Sequence, residues 1–413
     1  MPISGLSSAR HSRLSLNESL LALAKHSGIN LLHLNGKQLL PIVQGGMGVG
    51  VSASRLAGTT ARFGAMGTIS SVDLRRLHPD LWAQTRDIAK HAHARALIDQ
   101  ANLDALDREI VKAKTISQGK GLIAVNVMKA LSAYELYVTQ ALQSGADAIV
   151  VGAGLPLDLP ELARDFPNTA LIPILSDARG VQLVVKKWMK KGRLPAAIVL
   201  EHPRLAGGHL GASKIDDLGA ERFEFSTAIP EIVAGFRSMG IEGQIPLIAA
   251  GGISNLADIK RLQSLGANAV QLGTAFAVTK ECDANDHFKS VLANAQPEDI
   301  VEFVSVAGLP ARGVKTPWLE KYLRIEPVLK SRAHTKERCN MGFDCLAHCG
   351  LRDGKSEMGQ FCIDKQLGHA LDGDTQRGLF FRGKGKLPFG ADIRSVQDLL
   401  HWLVSGAQPE RSA

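Results

Sequence analysis

The chain is poor in aromatic residues, with 13 Phe, 4 Trp and 3 Tyr in 413 positions, and none is interleaved with basic residues as a base-stacking platform requires. Nucleic acid is therefore a poor partner, although 48 Lys and Arg against 40 Asp and Glu leave a net charge of +8. That charge is diffuse and favours acidic partners only in a general way. No run approaches the roughly 18 unbroken apolar residues of a membrane span, and a composition 45% hydrophobic and 21% charged excludes disorder. Cysteine is scarce. Five residues do not make the disulfide framework of a small secreted protein, yet four of them fall between 339 and 362. The N-terminal stretch scatters Arg10, Arg13, Glu18 and Lys25 among short apolar groups and lacks the compact apolar segment of a signal peptide, so a cytoplasmic location is expected.

What is present is alternation. Short apolar runs at 41–43, 65–69, 122–127, 148–151, 170–175, 196–200, 246–250 and 269–272 are separated by amphipathic stretches of helical length. Strands apolar on both faces and followed by helices read as a parallel sheet. Eight of them close a (β/α)8 barrel, whose usual length is about 250 residues. A doubly wound open sheet is the other arrangement, but glycine-rich turns recur at strand ends along the whole run, which favours the barrel. The predicted fold is thus α/β, a TIM barrel, with an N-terminal segment 1–34, a barrel 35–305 carrying a helical insertion at 77–118, and a C-terminal extension 306–413 that ends in a helix near 393–402. His91 and His93, two positions apart in the insertion, fall on different helix faces and make no metal site.

Four glycine-bearing loops follow strands. Gln44-Gly45-Gly46-Met47-Gly48-Val49-Gly50 follows the first. It is not a dinucleotide fingerprint, because Val51 stands where the third glycine would be. It reads either as a tight turn or as backbone bared toward a ligand. Ala250-Gly251-Gly252-Ile253 ends strand seven and Gln271-Leu272-Gly273-Thr274 ends strand eight, the two places where barrels commonly cradle a phosphate. A phosphorylated cofactor such as FMN fits there. After strand six comes Glu201 and then Leu205-Ala206-Gly207-Gly208-His209-Leu210-Gly211, where a histidine among glycines is open to a substrate and suited to proton transfer.

The cysteines Cys339, Cys345, Cys349 and Cys362 are spaced C-x5-C-x3-C-x12-C. Zinc sites usually contain C-x2-C knuckles, which are absent, whereas thiolate-held iron–sulfur clusters tolerate varied spacing. A [4Fe-4S] cluster, a zinc ion and free thiols all remain open on spacing alone. Cys282 stands apart and reads as a small buried hydrophobe. The basic run 186–193 reads as a solvated helix end on the face of the barrel away from the reactive rim.

Gln44-Gly45-Gly46-Met47-Gly48, Gly64-Ala65-Met66-Gly67, Asn126, Gly152-Ala153-Gly154-Leu155-Pro156, Gly207-Gly208-His209 and Ala250-Gly251-Gly252-Ile253, in that order, resemble the nitronate monooxygenase (2-nitropropane dioxygenase) superfamily of FMN-containing TIM barrels over about residues 35 to 315. The resemblance implies that Gly45, Gly46, Met47, Asn126, Glu201 and Gly208 border the flavin, that Gly251, Gly252, Gly273 and Thr274 hold its phosphate, and that His209 is the catalytic base. The tail is similar to the FabX-type branch of acyl-carrier-protein dehydrogenase/isomerases, which carry FMN and a [4Fe-4S] cluster; Thr279 to Ala284, Gly308 to Arg312 and Cys345-Leu346-Ala347-His348-Cys349 through Cys362 carry that likeness. It implies Cys339, Cys345, Cys349 and Cys362 as cluster ligands. The chain departs from that branch by about one extra residue in two cysteine spacings and between Glu201 and His209.

The function so implied is FMN-dependent dehydrogenation, and in some members isomerisation, of a saturated acyl thioester on an acyl carrier protein in unsaturated fatty acid synthesis, with molecular oxygen as acceptor. The alternatives are oxidation of small alkyl nitronates with oxygen and flavin-dependent reduction of a quinone or enoyl substrate by NAD(P)H. A homodimer is left open.

Overall fold

The computed structural model describes residues 15–88, 93–334, 339 and 341–408. Eight parallel strands form a closed barrel: β1 (Ile42–Gln44), β2 (Met66–Ser70), β3 (Leu122–Met128), β4 (Ala148–Gly152), β5 (Ala170–Leu175), β6 (Ile198–Glu201), β7 (Leu247–Ala250) and β8 (Ala269–Leu272). They pair in chain order, and β8 closes onto β1. Each lies within a few residues of the run that predicted it. The reason is visible in the packing. Ala148 and Val150 point into the barrel with Val43, Met66, Ala124, Ile172 and Val199, while Ile149 and Val151 face the surrounding helices. Both faces are buried, so both alternate sets must be apolar.

The end of the barrel remote from the strand C-termini is stoppered by an antiparallel hairpin, Leu32–Leu34 with Lys37–Leu39. Its Leu32, Leu34 and Leu39 join the interior cluster. Asn35 and Lys37 tie it down by donating to the carbonyls of Asp147, Asn168, Gly119 and Gly121. The barrel therefore opens at one end only.

Among the described residues the stretch between β2 and β3 includes the helices Pro79–Thr85 and Ala94–Ser117, and the second packs along the helix Ser54–Arg62 with Gly58 against Ile116. His91 lies outside the described residues. The basic run ends the helix Ala178–Met189, with Lys186 and Lys187 exposed and Trp188 buried, its Nε1 donating to Pro156 O at 3.0 Å. Cys282 is fully buried. The terminal helix spans Val396–Ser405, about three residues later than its apolar pattern suggests, because Ser395 caps it by accepting from Asp398 N. Among the described residues no helix is long and apolar enough to cross a membrane.

After β8 the chain builds a cover over the open end. Strands β9 (Ile300–Val304) and β10 (Pro310–Val314) form an antiparallel hairpin, and the two-residue strand Gly208–His209 adds to the free edge of β10. The segment 379–382 then lies against β10, with Val314 N donating to Phe380 O at 2.8 Å and a bridge between Gly313 and Phe381.

Candidate active site

Sheet register lines the polar side chains along one rim. Glu201 stands opposite Ala250, Asn126 opposite Ser70 and Val150, and Gln271 opposite Val43 and Ala250. Beneath the cover lies a cavity of about 300 Å³, the size of small-molecule sites. Gly45, Gly46, Met47, Asn126, Glu201, Gly208, His209, Gly251, Gly252, Gly273 and Thr274 all line it. Residues from five separate strand ends are thus brought to one place.

The first loop hugs the rim. Gly45 N donates to Leu272 O at 2.9 Å, and the Met47 N–H is taken by Ser52 Oγ at 2.8 Å. A Cβ at position 46 would stand 2.4 Å from Asn126 Cβ, so only glycine lets the loop and Asn126 share the cavity wall. At the opposite wall Gly251 and Gly252 have φ of 112° and 75°, backbone that L side chains avoid. The backbone of these two glycines beside Thr274, in a cavity floored by glycine, suits a phosphorylated planar cofactor such as FMN.

His209 does not sit in an open glycine loop, as its sequence neighbours suggest. It is clamped in the strand added to β10, opposite Ala311, with its ring 5.9 Å from that of Phe381. Its Nε2 lies 3.0 Å from Ser305 Oγ. Burial pushes its pKa down to about 4, since desolvation disfavours the cation, so at neutral pH the ring is uncharged. Ser305 is fully buried and its Oγ also accepts from Ala307 N at 3.2 Å. Glu201 is pushed the other way: burial raises it to about 7, against the pull of the Arg312 guanidinium.

Arg312 is itself fully buried. It donates to Glu302 Oε1 from Nε and Nη2, at 3.0 and 2.9 Å, and from Nη1 to the carbonyls of Pro203 and Ala206. This anchors the loop that leads into Gly207–His209. Ser305, Arg312 and Phe381 were not legible as site residues. The one available signal was an arginine set inside the otherwise uncharged strand β10. His202, next to Glu201, is turned to Glu224, with Nε2 3.3 Å from Oε2, and lies outside the cavity lining.

The four clustered cysteines come together at the edge of the cover. Burial raises Cys345 well above the ordinary thiol range, and Asp364, Cys362, Cys349 and Cys339 raise it further. Burial also pushes Cys362 up to about 12, with Asp364 and Cys339 adding to it. Cys345 lines the cavity, whereas Cys339, Cys349 and Cys362 do not. Among the described residues no group of three or more His, Cys, Asp or Glu is arranged to hold a single metal ion.

Residues 34–406 match the protein family described as nitronate monooxygenase. A Bacillus subtilis protein named probable nitronate monooxygenase is 27% identical over 292 residues, 69% of this chain and 79% of its own length. A Saccharomyces cerevisiae relative is 33% identical over 123 residues, 29% of this chain and only 30% of its own, and the nitronate monooxygenase of Pseudomonas aeruginosa is 33% identical over 109 residues, 26% and 29%. Among solved structures, FabK from Thermotoga maritima superposes with a TM-score of 0.59 at 19% identity, covering 95% of this chain and 96% of that one. Nitroalkane oxidase from Streptomyces ansochromogenes has the same score and identity, over 88% and 94%. At that identity the two structures share the fold.

Proposed function

Because this chain belongs to the nitronate monooxygenase family and is an FMN-dependent oxidoreductase, we propose that it takes the α proton from a small nitroalkane and oxidises the resulting nitronate, with molecular oxygen as acceptor. The observation that carries this reading is the uncharged imidazole of His209 in the wall of a glycine-lined cavity. A nitro group spreads the charge left on its α carbon, so one neutral base within reach suffices for the proton transfer. The C–H bond breaks heterolytically, the proton passes to a ring nitrogen of His209, and the electron pair stays with the substrate as nitronate. The imidazolium so formed keeps its Nε2–H directed at Ser305 Oγ, which accepts it.

Gly45, Gly46, Met47, Asn126, Glu201 and Gly208 would border the flavin ring, and Gly251, Gly252, Gly273 and Thr274 its phosphate. Bound FMN supplies the two-electron acceptor and the reaction with oxygen, which no side chain here provides. Glu201, held near half-protonation at neutral pH, donates a hydrogen bond from its carboxyl when protonated. Phe381 and the cover keep water from the base, which preserves its low pKa.

A second reading is favoured by one feature of the cavity. Met128, Leu131, Leu346, Ile363, Leu367 and Leu379 line it beneath the tail, an apolar lobe that suits the chain of an acyl thioester carried on an acyl carrier protein. His209 would then take the α proton of the thioester. In the same reading the four cysteines hold a [4Fe-4S] cluster. Their convergence supports it, and a four-iron cube keeps its thiolates farther apart than one ion does, so the lack of a single-ion site is no obstacle.

The experiment is an anaerobic titration of the flavin-loaded protein. Loss of visible flavin absorption on adding 2-nitropropane or its nitronate, and none with acyl-carrier-protein thioester, is the expected result. Bleaching by the thioester alone would move the assignment to the second reading, and bleaching by neither would reject both.

A further inference from the structure

The tail recrosses the barrel mouth between residues 379 and 387, carrying Arg382 beneath the cover at 6% exposure. Its Nε donates to Leu292 O at 2.8 Å and its Nη1 to Gly383 O at 3.2 Å. Among the described residues no carboxylate pairs with it, and burial alone acts on its charge. The contrast with Arg312 is direct, since that buried guanidinium has Glu302. A guanidinium does not deprotonate in a protein, and a buried cation with only carbonyl partners is costly. Arg382 lines the cavity, so a ligand there can supply the missing negative charge.

The same segment is docked on the two loops expected to cradle a phosphate. Gly383 N donates to Thr274 Oγ1 at 3.1 Å and Lys384 N to Leu205 O at 3.1 Å. Gly385 lies so close to Gly252 that an added Cβ would stand 3.3 Å from Gly252 Cα. Neighbouring residues of an extended segment project to opposite sides. Phe381 faces His209, whereas the Arg382 side chain reaches Leu292, away from the base. An anion at Arg382 is therefore separate from the reacting carbon.

We propose that Arg382 is the counter-charge for a phosphate monoester held at Gly251, Gly252, Gly273 and Thr274, that of the flavin, so that the C-terminal segment fastens the cofactor into the barrel. This rests on the flavin reading of the cavity. Charge-assisted bonds from a guanidinium to phosphate are the strong kind, and riboflavin, which lacks the phosphate, is the control that isolates them.

Flavin-free protein is titrated with FMN and with riboflavin, following the quenching of flavin fluorescence. Arg382→Gln is expected to weaken FMN by about 10- to 100-fold and leave riboflavin within about twofold, with Arg382→Lys in between. Equal weakening of both flavins, or of neither, would overturn the assignment. Should Arg382→Gln not fold, Lys386→Glu serves instead, because Lys386 is exposed at the mouth of the same cavity; it is expected to weaken FMN selectively, and an unchanged FMN-to-riboflavin ratio would overturn the idea. Wild-type protein that binds neither flavin would reject the cofactor reading itself, a result separable from a ratio that survives the substitution.

Discussion

His209 and Ser305, 96 residues apart in the chain, meet with Nε2 and Oγ separated by 3.0 Å. Ser305 owes its place to a turn in which its N–H donates to Leu309 O and its carbonyl accepts from Gly308 N and Gly359 N. Gly350 N donates to Val306 O at 2.7 Å in the same turn. The cysteine-bearing segment therefore braces the hydroxyl that holds the imidazole. A serine hydroxyl can accept from the Nε2–H of the neutral ring and of the imidazolium alike, so one contact serves the base before and after Nδ1 takes a proton.

Ser305→Ala leaves the imidazolium without its acceptor. Turnover is expected to fall about tenfold, the worth of one hydrogen bond to a charged group, while flavin content stays unchanged. Steady-state kinetics on protein of measured flavin content checks this, and a variant as fast as wild type would remove Ser305 from the mechanism.

His209→Ala is expected to lose at least about 100-fold in turnover with the flavin spectrum intact. In the wild type, the base works when deprotonated, so activity is lost as pH falls through about 4, well below the ordinary histidine value of about 6.5. A kcat/KM profile with its acid limb near 4 is the expected shape. A limb near 6.5 would mean that the imidazole is wet in the working enzyme.

Glu201 carries a pH dependence of stability. Its folded pKa, about 7 against a reference of 4.5, lies above the unfolded one, so the folded state binds more protons between the two values. The contribution of Glu201 to stability is greatest below pH 4.5 and declines as pH rises through 7, by up to about 3 kcal/mol for a shift of this size, opposite in sign to that of the buried neutral His209. Glu201→Gln mimics the protonated form and is expected to remove that slope. Melting curves of flavin-free protein at pH 4.5 and 8 test it; a Gln variant that tracks wild type at both values would mean that the carboxyl is solvated.

Cys345 contributes more than its thiol. Its carbonyl accepts from Ser132 N, and Leu346 bridges Leu131, tying the tail to the loop after β3. If the four thiolates hold iron, Cys345→Ser lowers iron and labile sulfide in anaerobically purified protein and exposes the tail to protease, because metal binding and local folding are coupled. Iron loss with proteolysis unchanged would separate the metal from any stapling role.

The barrel was legible because each of its signals is local. A strand such as Ala148–Gly152 announces itself by consecutive apolar residues, and the turns around Gly46, Gly207 and Gly252 announce themselves by the absence of Cβ atoms where neighbouring segments pass closely. The terminal helix was misplaced by three residues for an equally local reason. Ser395 and Asp398 form a capping box, which starts the helix three residues past the beginning of the apolar run.

Ser305 and Arg382 carry no such mark, and Arg312 only that of a charge inside an apolar strand. Each matters through what the folded chain carries to it: an imidazole for Ser305, two loop carbonyls for Arg312, the floor of a glycine cradle for Arg382. The pKa values follow the same division. That residue 209 is a histidine is written in the chain, but that its ring stays uncharged comes from the cover built by residues 300–314 and 379–382, because the cost of charging a group depends on which distant segments have displaced its water.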